Sequence, residues 1–141
     1  LTFCRSFSGA AVQSVQTALL LEQKRVIEGI ARVGNDCVIV GRNADVILRR
    51  ENPFHIFVCA DMESKIRRCT ERAGEKLSRR ELEQNIRRID KNRASTREML
   101  AGGKWGERST YQLTVNTTDW RIKELAPAVG DFALCWFRRE I

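Results

Sequence analysis

The 141-residue sequence predicts an α/β domain, a parallel sheet flanked by helices. Two runs carry the strands: Cys37-Val38-Ile39-Val40 and Phe54-His55-Ile56-Phe57-Val58-Cys59-Ala60. Both are apolar nearly throughout rather than on alternate positions, the pattern of strands buried on both faces. Segments of helical period stand before, between and after them, and strands alternating with helices argue for a parallel sheet covered on both sides.

Residues 12–33 read as a long helix. Val15, Leu19, Val26, Ile30 and Val33 keep close to the 3.6-residue period, and Gly34-Asn35 is a stop signal. After the first apolar run, Gly41 permits a sharp turn, and residues 43–50 form a helical turn closed by Asn52-Pro53. Asp61 is placed to cap a helix over 62–73, with Glu63 in its first turn. Gly74 breaks that helix. Ser78 and Glu81 then form a capping box that starts another, running to about Leu100 with Leu82, Ile86 and Ile89 as its buried stripe. Residues 111–116 alternate like a strand. From Asp119 the pattern is helical until Pro127 and Gly130 disturb it, and the aromatic tail 132–141 is expected to pack on the body.

Apolar residues make up 43% of the chain, which excludes a disordered protein. No stretch approaches the roughly 18 uninterrupted apolar residues of a spanning helix, so no membrane partner is expected. No secretory signal is visible, and the sequence opens on Leu1 rather than Met, as if residues were missing at the front. The five cysteines, at 4, 37, 59, 69 and 135, form no C-x-x-C pair, and His55 is the only histidine. No metal site of Cys and His is expected, Cys37 and Cys59 read as small hydrophobes within strands, and a reduced, cytoplasmic protein follows.

The formal charge is +7, and residues 62–97 supply most of it, with twelve Lys and Arg against six Asp and Glu. Such density suits an anionic partner, phosphates on a small molecule or a nucleic-acid backbone. It suits equally a solvated helix face laced with i,i+4 pairs. No Phe, Tyr or Trp falls within 62–97, whereas nucleic-acid binders interleave aromatics with their cations to stack bases.

In open parallel sheets ligands bind at the carboxyl ends of the strands. That rule selects Gly41-Arg42-Asn43 and Asp61. Arg42 could carry a guanidinium fork to phosphate there, or be an ordinary strand-end surface residue. Arg67, Arg68 and Arg72 sit on one helix, and Arg87, Arg88, Lys91 and Arg93 on the next, where Asp90 and Arg93 are face neighbours. Gly74 and the polar stretch to Ser78 would hinge the two as a lid. Phosphoryl transfer needs such positioned cations, yet a charged helical hairpin without chemistry has the same composition. No G-x-x-x-x-G-K-[ST], G-x-S-x-G or H-E-x-x-H signature occurs.

Taken together, several stretches resemble bacterial cytidylate kinases. Val38-Ile39-Val40-Gly41-Arg42-Asn43-Ala44-Asp45 is similar to their strand and Gly-Arg-Asp turn, and Asp90-Lys91-Asn92-Arg93-Ala94 to their Asp-Arg-Asn-Arg-Ala signature. Ile56-Phe57-Val58 followed by Arg67-Arg68 is similar to their next strand and lid helix. Gly102-Gly103-Lys104-Trp105-Gly106 and Leu113-Thr114-Val115-Asn116-Thr117-Thr118 are closest to the cytidylate-kinase-like branch. The resemblance covers roughly 23–126 and implies a P-loop nucleoside-monophosphate-kinase fold with a helical lid at about 67–97. It implies an enzyme that moves the terminal phosphoryl group of ATP, with Mg²⁺, onto CMP or dCMP. By matching positions it implies acceptor contacts from Arg42, Asn43, Asp90 and Arg93, lid arginines Arg67, Arg68 and Arg72, and Asn116 and Thr117 near the adenine.

Two departures stand out. Asn43 replaces an Asp that helps recognise the base, and an amide donates where a carboxylate only accepts. Leu1-Thr2-Phe3-Cys4-Arg5 resembles the first strand, which should run into a glycine-rich loop, but Ser6-Phe7-Ser8-Gly9 follows instead. The expectation is one domain over 1–141, with the phosphate loop and most of the acceptor-binding insert missing between 5 and 6. The alternatives are a kinase relic that senses nucleotides without turning them over, and a basic nucleic-acid binder.

Overall fold

The computed structural model describes residues 9–73 and 77–139. The expected first strand at 1–5, the phosphate-loop junction after it and the Gly74 hinge lie outside the described residues. The chain gathers into two units, one ending at Pro53 and one beginning at Phe54.

The first unit holds helix α1 (Gly9–Arg32), the short helix α2 (Ala44–Ile47) and a 3₁₀ turn (Arg49–Glu51). Ile27 of α1 is buried against Ala44 and Leu48, with Ala31, Ile39 and Ile47 packed around them. The run at 37–40 belongs to no strand among the described residues. Only Ile39 turns toward the small core; Val38 and Val40 are 92% and 87% exposed, and Cys37 is exposed too. The expectation of a strand buried on both faces, with Cys37 inside it, is therefore corrected.

Gly41, Arg42 and Asn43 follow with φ of 72°, 60° and 51°, three successive left-handed residues. Gly41 tolerates this freely, whereas the two side-chain-bearing residues each carry a cost of about 1–2 kcal/mol. The amide of Ala44 donates back to the Gly41 carbonyl at 3.2 Å and closes the turn.

The second unit is a mixed α/β arrangement around a two-stranded parallel sheet. Strand β1 (Ile56–Cys59) pairs with β2 (Leu113–Asn116) in the register Ile56 to Leu113 through Cys59 to Asn116. Helices α3 (Met62–Ala73) and α4 (Arg79–Ala101) form the crossover, and α5 (Ile122–Arg138) follows β2. Expected and observed bounds agree closely for α3 and α4, since both start on strong caps. The Asp61 carboxylate accepts from the Ser64 amide at 2.7 Å, and Ser78 and Glu81 close the complete capping box. Ile66, Leu82 and Ile86 make the buried seam between α3 and α4, with Met62 and Cys69 against it.

Two further expectations need correction. On one face of β1 Val58 is 60% exposed and Ile56 37%, so within the described residues the sheet is only partly covered on that side. The other face is filled: Phe57 meets Tyr111 at 5.0 Å and Trp105 edge-on at 5.3 Å. Helix α5 also runs through Pro127 and Gly130 without a break. Its anchor is aromatic, for Phe54 packs on Phe132, Trp136 and Phe137, which holds the far end in place. His55 precedes β1, its amide donating to Gln112 Oε1 at 2.7 Å, a structural position.

Candidate functional site

Both strands deliver their carboxyl ends to the same place. Asp61 follows β1, and Thr117, Thr118, Asp119 and Trp120 follow β2. Helix α3 leaves from Asp61 and lies beside that turn, fastened to it along its whole first half. The Asp61 amide donates to Thr118 Oγ1 at 2.9 Å, and the Asp119 amide reaches Ser64 Oγ at 3.4 Å. One helical turn further, Arg68 donates to Thr117 Oγ1 at 2.9 Å, to the Thr117 carbonyl, and to the Trp120 carbonyl at 3.1 Å. Thr117 also donates through Oγ1 to the Cys59 carbonyl at 2.9 Å, and it is 3% exposed.

An open cleft of about 580 Å³ borders this junction, lined by Arg67, Arg68, Glu71, Arg72, Asp119, Trp120, Arg121 and Ile122. The first four fall at i, i+1, i+4 and i+5 of α3, one stripe of a helix and the side away from the Ile66 and Cys69 seam. Arg67 forms a long, exposed pair with Asp119 at 3.7 Å, and Arg121 one with Glu124 at 3.5 Å. Arg72 has no ion-pair partner among the described residues. Four guanidiniums face two carboxylates here, and an anion can exchange for Asp119 at small cost because exposed pairs are weak. The Asp61 carboxyl itself is held below its usual range by the Ser64 amide and hydroxyl. It is spent on the helix cap.

The structure therefore brings Arg67, Arg68 and Arg72 to one cleft at the strand ends. Thr117 sits beneath it with its polar groups consumed, and the side-chain oxygen of Asn116 accepts from the Thr118 amide at 3.0 Å. Asp90 and Arg93 are elsewhere. They lie on the α4 side of α3, where Lys65 Nζ is 2.7 Å from Asp90 and Arg93 is 3.0 Å from the same carboxylate. Arg42 and Asn43 belong to the first unit, on the left-handed turn described above. The sequence reading missed Lys65 and Trp120. Nothing in the sequence separates Lys65 from the other cations of the basic segment, since only its contact with Asp90 marks it, and Trp120 lies outside that segment. No group of three or more His, Cys, Asp or Glu gathers among the described residues to hold a metal.

The model of the cytidylate kinase-like family matches residues 2–119. The chain belongs to the cytidylate kinase-like family. Three chains among the solved structures also match. One is a crystal structure of an uncharacterized protein from Eubacterium ventriosum, with a TM-score of 0.73 and 24% identity. The alignment covers 82% of this chain and 65% of that one, so the cytidylate kinase-like chain spans just under two thirds of that protein's length. At that identity the likeness speaks for the fold alone. No curated protein matches the chain. The described cysteines Cys37, Cys59, Cys69 and Cys135 are free thiols, and no described helix is long and apolar enough to cross a membrane.

Proposed function

We propose that this family member is an ATP-dependent nucleoside monophosphate kinase acting on CMP or dCMP, with a P-loop-type fold completed by a glycine-rich loop outside these 141 residues. The observation that carries the proposal is the stripe Arg67, Arg68 and Arg72 on α3, lining a cleft at the carboxyl ends of two parallel strands. Phosphoryl transfer makes little covalent demand on a protein. It needs the moving group held in line and its charge neutralised by donors already in place. Arg72 can turn toward phosphate oxygens and Arg67 can exchange its long, exposed pair with Asp119 for them, while Arg68 holds the frame on which they stand. Asp90, Arg93 and Lys65 form a second polar cluster suited to an acceptor's ribose and phosphate. The family resemblance adds Arg42 and Asn43 as acceptor contacts.

Mg²⁺ belongs to this chemistry as the counter-ion of the nucleotide phosphates, which supply most of its ligands. The described residues offer no ready cage of carboxylates for it, so no protein ligand is assigned.

The test is a steady-state assay with Mg²⁺-ATP and CMP, dCMP, UMP and AMP as acceptors, using the full-length protein. Formation of ADP with CMP or dCMP is expected, and no turnover with any nucleotide overturns the proposal. The lack of any G-x-x-x-x-G-K-[ST] in these 141 residues favours one second reading, a relic that binds nucleotide without transferring phosphate. Nucleotide binding without ADP formation in that assay would select it.

A further inference from the structure

Helix α4 has a second side that the candidate site does not use. Leu82 and Ile86 are buried in the seam with α3, and Asp90 on the same side meets Lys65. At about 100° per residue, Arg80, Gln84, Arg87, Arg88, Lys91 and Ser95 fall on the opposite side, and all six are exposed. Arg87 is held by Glu83 at 2.7 Å, an exposed pair that contributes little. Arg88 donates to Asn85 at 3.3 Å, and among the described residues neither Arg80 nor Lys91 has an acidic partner. Glu98 is the first acid further along that side.

The character of this stripe narrows what can cover it. From Arg80 to Ser95 it carries no apolar side chain. Protein interfaces centre on aromatic and aliphatic anchors that become buried, and none stands here. A helix lying on a membrane inserts an apolar face, whereas the apolar face of α4 is already closed on α3. Single-stranded nucleic acid is held by stacking its bases on aromatic rings, which this stripe lacks. In a duplex the bases are stacked on one another, so only the phosphate backbone needs to be met.

We propose that the outer side of α4 is a docking surface for duplex nucleic acid, held through backbone phosphates by Arg80, Arg87, Arg88 and Lys91 without reading sequence. Along the helix axis, Arg87 and Lys91 lie about 11 and 17 Å from Arg80. Phosphates of one strand recur about every 3.4 Å along a duplex, so long, mobile cationic side chains at these spacings reach several of them. Gln84 and Ser95 add neutral donors within the same row. This surface is separate from the arginine cleft on α3, and the inference does not rest on the kinase reading.

The experiment measures anisotropy of fluorescein-labelled 20-base-pair duplexes of random sequence, one RNA and one DNA, with the full-length protein over a series of salt concentrations. Circular dichroism confirms the fold of each variant. Wild type should bind weakly, at about 1–100 μM near physiological salt, with log affinity falling against log salt at a slope of about −2 to −4. The Arg88→Ala/Lys91→Ala variant should lose about tenfold or more at low salt and make the slope shallower by nearly two. Arg88→Lys should keep wild-type affinity, because neutralising a phosphate needs charge rather than a planar fork. Arg67→Ala/Arg72→Ala, in the cleft, should bind duplex as wild type does, and ADP should not compete. The RNA and DNA arms decide which duplex is preferred. No binding to either duplex, a wild-type slope in Arg88→Ala/Lys91→Ala, or equal loss in the cleft variant overturns the proposal. Equal or tighter binding of a polyglutamate peptide overturns it too, in favour of an acidic protein partner.

Discussion

Truncating Arg68 to alanine probes the joint between α3 and the turn after β2. The side chain makes three donated contacts, to Thr117 Oγ1, the Thr117 carbonyl and the Trp120 carbonyl. A hydrogen bond from a charged donor contributes about 1.5–3 kcal/mol where its acceptor is cut off from water. Thr117 is 3% exposed, so its groups cannot be rehydrated without opening the turn, whereas the Trp120 carbonyl lies in an exposed contact. Counting the Thr117 contacts in full and the third at little, the loss comes to roughly 2–4 kcal/mol. The measurement is urea unfolding followed by far-ultraviolet circular dichroism, for wild type, Arg68→Ala, Arg68→Lys, Thr117→Val and the Arg68→Ala/Thr117→Val double variant. Lysine should restore less than half, since an ammonium cannot reproduce the planar fork. The double variant should fall short of the summed single losses by about 1 kcal/mol or more, the signature of two groups in contact. An Arg68→Ala protein within about 0.5 kcal/mol of wild type, with no coupling to Thr117, would refute the reasoning.

Other expectations follow from the same geometry. Gly106 has φ of 80°, and a Cβ there would meet the Phe57 ring at 2.9 Å. Gly106→Ala should therefore cost about 1–3 kcal/mol in denaturant unfolding, from backbone strain and ring displacement together. Asp90→Ala strips Lys65 and Arg93 of their shared carboxylate, and with Lys65 only 31% exposed it should destabilise the α3–α4 seam by about 1–2 kcal/mol; Lys65→Met in the same background should recover part of the loss. The carboxyls of Asp61, Glu63 and Glu81 are all held below their ordinary values, by the Ser64 amide, the Arg79 guanidinium and the Ser78 hydroxyl respectively. A depressed folded value means stability that is complete above the ordinary carboxylate range and is lost as pH falls through the lowered values. Thermal melts should accordingly drop below about pH 4, and Asp61→Asn with Glu81→Gln should flatten that drop.

The helical hairpin was legible because its signals are local. Asp61 and the Ser78–Glu81 box fix where α3 and α4 begin, and of the expected buried stripe Leu82 and Ile86 are buried whereas Ile89 is 43% exposed. The segment 37–40 was misread for the opposite reason. An apolar run states what it wants to be covered by, but a strand exists only when a neighbour supplies hydrogen bonds, and periodicity cannot name that neighbour. Pro127 misled in a related way: an aromatic cluster closed by Phe54 outweighs the one hydrogen bond that proline removes. Of the candidate site, the residue types were readable and the faces were not. Arg67, Arg68 and Arg72 share a stripe, yet only the contact to Thr117 separates the strut from its neighbours. Asp90 and Arg93 look like part of the same basic segment, yet they face the other side of α3, a distinction that needs the helix docked before it can be seen.

The ladder between β1 and β2 joins residues 57 positions apart and is four rungs long. Closing so wide a loop for so few hydrogen bonds is slow unless the intervening chain has already shortened itself. Helices α3 and α4 do that, because their caps and shared seam involve only near neighbours in sequence. Folding of this unit should thus run from the hairpin inward, with the strands zipping last. The arginine cleft, which exists only where the strand ends meet α3, is then the final part of the unit to assemble and the first to come apart.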